Sequence, residues 1–538
     1  MMAQGSRPVN PSRGTRPATG VCDHGLVDLP SGPPHDEPFA VVDIGSNSGR
    51  MIVFRMRDGE HLDVIEDARA PLRLARQLRT GNELGADAIE RTLEALRDFR
   101  AIADGAGARR MIAVATSAVR DASDGGTLVE RARAIDVPLQ TIDGEAEAKL
   151  GFLGAVHDLP VTGGLTMDVG GGSVELTRFV DRRFERSWSL PLGSLRVSDH
   201  FLEGDPPHDR EVQKLRKHVG AALEQAGVTE LAKRDDLIGI GGTARNLAKI
   251  DLRRTEYPLP LLHGYELPER RLSALVEELA KRSMKRRAQT AGLNPDRADT
   301  IVGGALVVHG VMRHVGARRL VVSSRGLREG LALDAFGGDV PPAPWVRTIS
   351  VATLASRFAT WDAAVAERRA SLAVRLHEAL EPEASVSVRE MLEHAAVLLD
   401  VGRAIDYYER FEHAAMIVTA ADLAGFSHAK LGMLTAILRQ ADDDTRLGPY
   451  GRLIEESDRA AVLRAATALA LADELHRRIP RDRPAPLSCN WLRHGFEVVA
   501  PVPVGWRPRA VGDRFAQVFG RALIVVPTAV GSSPVLGA

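Results

Sequence analysis

The residues best suited to chemistry stand at the ends of two short apolar runs. In Thr166-Met167-Asp168-Val169-Gly170-Gly171-Gly172-Ser173-Val174-Glu175 an apolar segment delivers Asp168 to a strand end, three glycines make a tight turn, and a second strand leaves carrying Glu175. Glycines let backbone N–H groups approach phosphate oxygens closely, and two acids flanking such a turn can hold a divalent cation between them. Ala40-Val41-Val42-Asp43-Ile44-Gly45-Ser46-Asn47-Ser48 repeats this grammar and runs into a second apolar segment, Met51 to Met56. A third glycine turn, Gly241-Gly242-Thr243, follows the apolar Leu237-Ile238. Any one of these is also explained as a purely structural turn. Two aspartate-ended hairpins in successive segments argue for a duplicated domain with a phosphate cleft between the copies.

The elements that must hold these turns follow from periodicity. After the first hairpin come the turn signal Asp58-Gly59 and a third strand near Leu62 to Ile65. Ile89, Leu93, Leu96, Phe99 and Ile102 recur at spacings of three and four and share one helix face. Met111 to Ala115 and Val137 to Ile142 read as strands separated by a helix around Leu128 to Ile135, and Asp143-Gly144-Glu145-Ala146-Glu147-Ala148 opens another helix. The order restarts with strands over 165–169, 173–180 and 183–189, and later strands fall at 237–240 and 320–323. This order predicts two α/β domains, 39–163 and 164–338, facing each other across a cleft. It is similar to the actin-like, or ribonuclease H-like, phosphotransferase architecture.

At 538 residues the chain is too long for one core, while its 44% apolar and 26% charged residues are ordinary for a globular protein. A net charge of −1 gives no global field toward nucleic acid or membrane, so a polyanionic substrate needs a local basic surface. Cys22 and Cys489 lie near opposite ends and imply neither a disulfide framework nor a zinc site, which fits a reducing cytoplasm. Residues 1–38, rich in Pro, Gly, Ser and Arg, read as a disordered tail without the apolar core of a signal peptide, and no run of about 20 apolar residues follows. Pro341-Pro342-Ala343-Pro344 reads as a linker to a helical domain over 345–480, in which Val351, Leu354, Phe358 and Trp361 share a face. A small C-terminal α+β domain over 485–538 follows Pro480 to Pro484, with strands around 496–499 and 522–526 and a frayed end near Gly531-Ser532-Ser533.

Eight segments in order carry a closer resemblance: 43–48, 115–120, 144–148, 168–175, 189–196, 241–243, 293–299 and 326–330. Together they resemble the exopolyphosphatase / guanosine pentaphosphate phosphohydrolase (Ppx/GppA) phosphatase family over roughly Phe39 to Phe336. The resemblance implies hydrolysis of a terminal phosphoanhydride by water, a transfer that needs positioning and charge stabilisation more than covalent chemistry. The two turns, with Ser46, Asn47, Ser48 and Ser173, would grip phosphate oxygens, and the planar fork of Arg120 is a candidate clamp. Asp43, Asp168 and Glu175 would converge on the cleft floor. Two carboxylates about 4 Å apart at an effective dielectric near 20 repel by roughly 4 kcal/mol, so Mg²⁺ is implied.

Glu147 matches the acid that activates water in the family's Gly-x-Glu-Glu-Ala run. Ala146 departs from that run and leaves Glu145 as the reserve; both acids also suit a helix first turn. Gly193 and Ser194 resemble a turn lining the phosphate path. Gly241, Gly242 and Thr243 stand where kinases of the superfamily hold adenosine, or else form a helix-entry turn. The basic run Lys281 to Arg287 either guides a polyphosphate chain or is a solvated helix face. By position the helical domain resembles the family's HD-like domain. The expected His-Asp step reads Leu399-Asp400, so no HD metal centre or HD catalysis is expected, and His394, Asp400 and His413 become packing or surface residues. The resemblance implies an exopolyphosphatase and a homodimer. Hydrolysis of guanosine pentaphosphate, sugar phosphorylation, and a sensor binding polyphosphate or guanosine tetraphosphate without turnover are the alternatives.

Overall fold

The computed structural model describes residues 37–57, 61–74, 82–337, 340–442, 447–480 and 485–528. All but the end of the expected tail over 1–38, the Asp58-Gly59 turn, the segment 481–484 and Gly531-Ser532-Ser533 lie outside the described residues.

The first sheet contains β1 (Phe39–Ile44), β2 (Ser48–Arg57), β3 (His61–Pro71), β4 (Arg110–Ala115) and β5 (Leu139–Thr141) in the order β3-β2-β1-β4-β5. β1 to β3 form an antiparallel meander, while β4 and β5 run parallel to β1. β1 is covered on both faces, which is why its residues are apolar except for Asp43.

The second sheet contains β6 (Gly164–Val169), β7 (Val174–Val180), β8 (Arg183–Leu190), β9 (Asp236–Ile240), β10 (Tyr265–Pro268) and β11 (Arg319–Val322) in the order β10-β11-β9-β6-β7-β8. Without β10 this is the same order as the first sheet, which makes the duplication visible. β10 adds an antiparallel edge that periodicity does not reveal, because it has only four residues and ends on Pro268.

Two helices tie the units together. Gly144–His157 leaves the first sheet for the second; Leu327–Asp334 follows β11, yet its Leu331 and Ala332 pack with Phe39 and Val41 of β1. They cross backbone to backbone: a Cβ on Gly154 would meet the Gly326 oxygen at 2.1 Å, and one on Gly330 the Leu150 oxygen at 1.9 Å. Glycine is required at both positions by this approach.

The proline-rich stretch is not a free linker. A helix already starts at Ala343 and runs to Ser356, and the Pro341 carbonyl accepts a hydrogen bond from Arg182 Nε. Phe358 and Trp361 lie beyond that helix and reach the core from the following turn, where Trp361 Nε1 donates to the Val397 carbonyl. The helices Ala363–Leu380, Val386–Leu398, Arg410–Ala420, His428–Gln440 and Glu456–His476 enclose one apolar core. That core continues into Phe496, Val498 and Phe515, which belong to β13 (Gly495–Ala500) and to helix Arg509–Phe519. β13 pairs antiparallel with β12 (Ser488–Leu492) and parallel with β14 (Ala522–Pro527). Among the described residues, no helix is long and apolar enough to cross a membrane.

Candidate active site

Both aspartate-ended hairpins open onto one cleft between the two sheets. Each turn closes with the same bond, Gly45 N–H to the Ser48 carbonyl at 3.1 Å and Gly170 N–H to the Ser173 carbonyl at 3.0 Å. Gly45, Ser46, Asn47, Ser48, Gly170, Gly171 and Ser173 line the cleft. Ser46 Oγ and Ser117 Oγ lie 2.9 Å apart and fix the first turn against the chain after β4. Gly172 does not line the cleft, and a Cβ there would meet Ser117 Oγ at 3.2 Å.

Strand register decides what faces each aspartate. Asp43 of β1 pairs across with Arg50 of β2, whereas Asp168 of β6 pairs with Glu175 of β7. Burial pushes the Asp43 carboxyl up to about 6, against the pull of Arg328 and Arg50. Burial raises Asp168 while Arg245, Arg297 and Arg50 oppose it. Glu175 is pushed up to about 7, chiefly by burial and further by Asp168, despite hydrogen bonds from Ser173 and Ser189. Glu147 lies well above the usual range through burial and then through Glu175, Asp43 and Asp168, with Arg120 opposing. The four acids therefore share one electrostatic environment.

The helix Gly144–His157 begins at Asp143, whose side chain accepts the Ala146 N–H at 2.8 Å, and this cap sets which first-turn acid faces inward. Glu147 lines the cleft, and its Oε2 is buried without a hydrogen-bond partner. Glu145 points to solvent and pairs with Lys149 at 2.7 Å. Arg120 stands beside the acid and does not line the cleft: its Nη1 donates to the Ile142 carbonyl at 2.7 Å and lies 3.5 Å from Glu147 Oε2.

The same cleft carries a cluster of cations. Arg50, Arg73, Arg245, Arg297, Arg325 and Arg328 line the cleft. Burial lowers Arg50 to about 10, and repulsion from Arg328, Arg245, Arg69 and Arg297 adds to it. Burial likewise lowers Arg245 and Arg297, each also repelled by a neighbouring arginine. Residue-by-residue reading of the hairpins missed this cluster. A signal for Arg50 existed: it is the seventh residue after Asp43, as Glu175 is after Asp168. Arg297 and Arg328 sit inside segments that carry the family resemblance, without a role attached to them.

The remaining glycine turns brace the site. The N–H groups of Gly193, Ser194, Leu195 and Arg196 donate to the carbonyls of Gly170 to Gly172, and Ser194 Oγ also donates to Gly170. A Cβ on Gly193 would come within 2.3 Å of Gly172. These groups therefore hold the second turn, although Ser194 still borders the cleft. Gly241, with φ +75°, opens the helix Gly241–Arg254, and a Cβ there would meet Asp168 Oδ1 at 2.2 Å. One on Gly242 would meet the Arg297 guanidinium at 2.2 Å, so an arginine covers this turn. Thr243 is buried behind it and donates to the Val169 carbonyl. Of the basic run, Arg287 is buried on Asp205 and Arg282 pairs with Glu278; none of 281–287 lines the cleft.

In the helical unit, Asp400 is a buried ion-pair partner. Arg369 Nη1 lies 2.9 Å from Asp400 and 3.5 Å from Asp473, and Arg410 reaches both acids. His394 is buried and pushed down to about 4 by that burial, and His413 is half-buried.

Among the described residues, no three His, Cys, Asp or Glu side chains form a ready-made metal cage. Asp43 Oδ1 is nevertheless buried without a hydrogen-bond partner, beside acids raised by burial. This suits Mg²⁺, which keeps several waters and binds through one or two carboxylates plus substrate phosphates.

Two copies of one sheet order around a cleft with an acid floor and an arginine cluster define an actin-like enzyme acting on phosphate groups. The model of the Ppx/GppA phosphatase family matches residues 52–337, and that of Ppx/GppA phosphatase domain III matches 346–500. Exopolyphosphatase 1 of Mycobacterium tuberculosis is 31% identical over 320 residues, covering 59% of this chain and 93% of the relative. Exopolyphosphatase 2 of the same organism is 32% identical, covering 55% and 98%. A solved exopolyphosphatase from Cytophaga hutchinsonii aligns with a TM-score of 0.52 at 25% identity, over 56% of this chain and 98% of that one. The Aquifex aeolicus family member aligns at 0.50 and 26%, over 55% and 96%. The chain belongs to the Ppx/GppA phosphatase family and is a hydrolase acting on phosphoanhydrides.

Proposed function

We propose that the protein is a Mg²⁺-dependent exopolyphosphatase that removes orthophosphate from the end of inorganic polyphosphate. The observation that carries this reading is the arginine cluster: Arg50, Arg245, Arg297 and Arg328 crowd the cleft, and Arg50 is lowered partly by the others. Mutually repelling cations in a partly desolvated site favour a ligand with several adjacent negative charges. The glycine turns then hold the terminal phosphate against Glu147. As the water oxygen bonds to the terminal phosphorus, Glu147 accepts a water proton and the bridging P–O bond breaks, its electron pair leaving with the shortened chain. Burial raises this carboxyl, which makes its ionised form a stronger base toward water than an exposed glutamate. One or two of Asp43, Asp168 and Glu175, together with substrate phosphates, would hold Mg²⁺, which when bound supplies charge neutralisation at phosphate oxygens.

Guanosine pentaphosphate presents the same terminal linkage. Among the described residues no aromatic side chain lines the cleft to stack a base, which favours the inorganic chain. The helical unit is read as an HD-like domain that walls the substrate path without a metal of its own, since Arg369 and Arg410 already neutralise Asp400 and Asp473.

The test is orthophosphate release with Mg²⁺ from long-chain polyphosphate and from guanosine pentaphosphate, for wild type and Glu147→Gln. The variant should lose about 10² to 10⁴ in rate while still binding polyphosphate. Faster release from the nucleotide would replace the substrate assignment. Release from neither would overturn it.

A further inference from the structure

The helical unit is seated on the two crossing helices that join the α/β units. Arg325, on the loop between β11 and the helix Leu327–Asp334, sends Nε to Asp158 Oδ2 at 3.1 Å, just past the end of the helix that carries Glu147. Its Nη2 reaches Asp422 of the helical unit at 2.8 Å. Beside it, the Gly425 N–H donates to the Asp158 carbonyl at 2.6 Å. One guanidinium thus joins both crossing helices to the helical unit.

The same loop lines the cleft through Ser324, Arg325 and Gly326. The Ser324 carbonyl accepts from Arg245 Nη1 at 2.9 Å, and Arg328 follows Arg325 by three residues. On its outer side, the Ser324 N–H donates to His263 Nδ1 at 3.3 Å. The His263 carbonyl in turn lies 2.9 Å from Nε2 of His428, the first residue of the helix His428–Gln440. Contacts from the helical unit therefore reach the backbone that holds Arg245. Because the glycines of the two crossing helices leave no gap between their backbones, a shift at one is passed to the other.

We infer that Arg325 is a positioning residue: by clamping Asp422 and Asp158 together it sets the loop that holds Arg245 and Arg328, and so the grip on the polyanion. This rests on the substrate reading above. It gives the helical unit a role in an activity that the mycobacterial relatives, matched almost whole by little more than half of this chain, are named for.

Asp422→Ala in the full chain is the informative variant. The Asp422 side chain is 44% exposed and Arg325 keeps Asp158, so no buried acid is stranded. The KM for polyphosphate should rise about three- to fivefold with kcat within about twofold, because the arginine cluster acts in binding rather than at the breaking bond. Asp422→Glu should restore KM, and amide hydrogen exchange over 324–329 should quicken in the alanine variant only. A merely structural tie would lower the melting temperature or the active fraction, with KM and loop exchange unmoved; either one unmoved overturns the inference. Should wild type not turn over polyphosphate, the substrate reading falls, and loop exchange alone decides whether Arg325 holds the loop.

Discussion

Arg120 has two possible jobs, and replacing it with glutamine separates them. If it clamps phosphate, its loss weakens substrate equally at every pH. If it supports Glu147, as the 3.5 Å approach to Oε2 indicates, its loss acts through the charge state of that acid. At 3.5 Å and an effective dielectric near 20, the gross attraction is about 5 kcal/mol. The two side chains are 26% and 17% exposed, so solvent screening reduces this to about 1–2 kcal/mol. The remaining neighbours, Glu175, Asp43 and Asp168, all favour the protonated form, which cannot accept a proton from water. On the acid side of the pH profile, kcat/KM of Arg120→Gln should therefore fall about tenfold or more relative to wild type. On the alkaline side, where Glu147 is ionised in both, the profiles should converge. Arg120→Lys, which keeps the charge, should fall between them. Orthophosphate release from polyphosphate across the pH range is the assay. A parallel, pH-independent loss would refute the pairing and return Arg120 to the phosphate.

The buried acids also make stability depend on pH. Asp43, raised to about 6 in the fold, binds its proton more tightly folded than unfolded. Its contribution is full below the unfolded pKa and is lost as pH rises through about 6. Buried His394 and His428, each lowered to about 4, act in the opposite sense, so the comparison is made against Asp43→Asn. Without metal, that variant should melt above wild type near pH 8, and the gap should shrink as pH falls below about 6 and close below about pH 4; a constant gap would contradict the assignment. In the helical unit, Arg369→Met leaves buried Asp400 and Asp473 to Arg410 and the more exposed Arg403 and should cost about 3–5 kcal/mol in chemical denaturation. Pairing it with Asp400→Leu should recover part of that loss. A single variant as stable as wild type would show the network to be dispensable.

The floor of the site was legible in the chain because a hairpin is local. Asp43 with its Gly-Ser-Asn-Ser turn, and Asp168 with its three glycines, are contiguous residues, and the repeated order of strands announced two sheets built alike. The strand partners were already implied, since Arg50 and Glu175 each stand seven residues after an aspartate. The resemblance supplied Glu147, but helix phase separated it from Glu145: the Asp143 cap turns one acid inward and leaves the other to Lys149. Tertiary structure alone decided the rest. Arg245, Arg297 and Arg328 come from three separate segments of the second unit, and Arg50 of the first unit joins them only when the two units face each other, which no periodicity encodes. It also turned the apparent phosphate-binding turn at Gly193 into a brace and covered Gly242 with Arg297, because which N–H groups remain free depends on what packs against them. Sequence by itself determined the turns that can approach a phosphate. Folding determined how many charges surround it, because charge density is a property of distances between segments that the chain order leaves open.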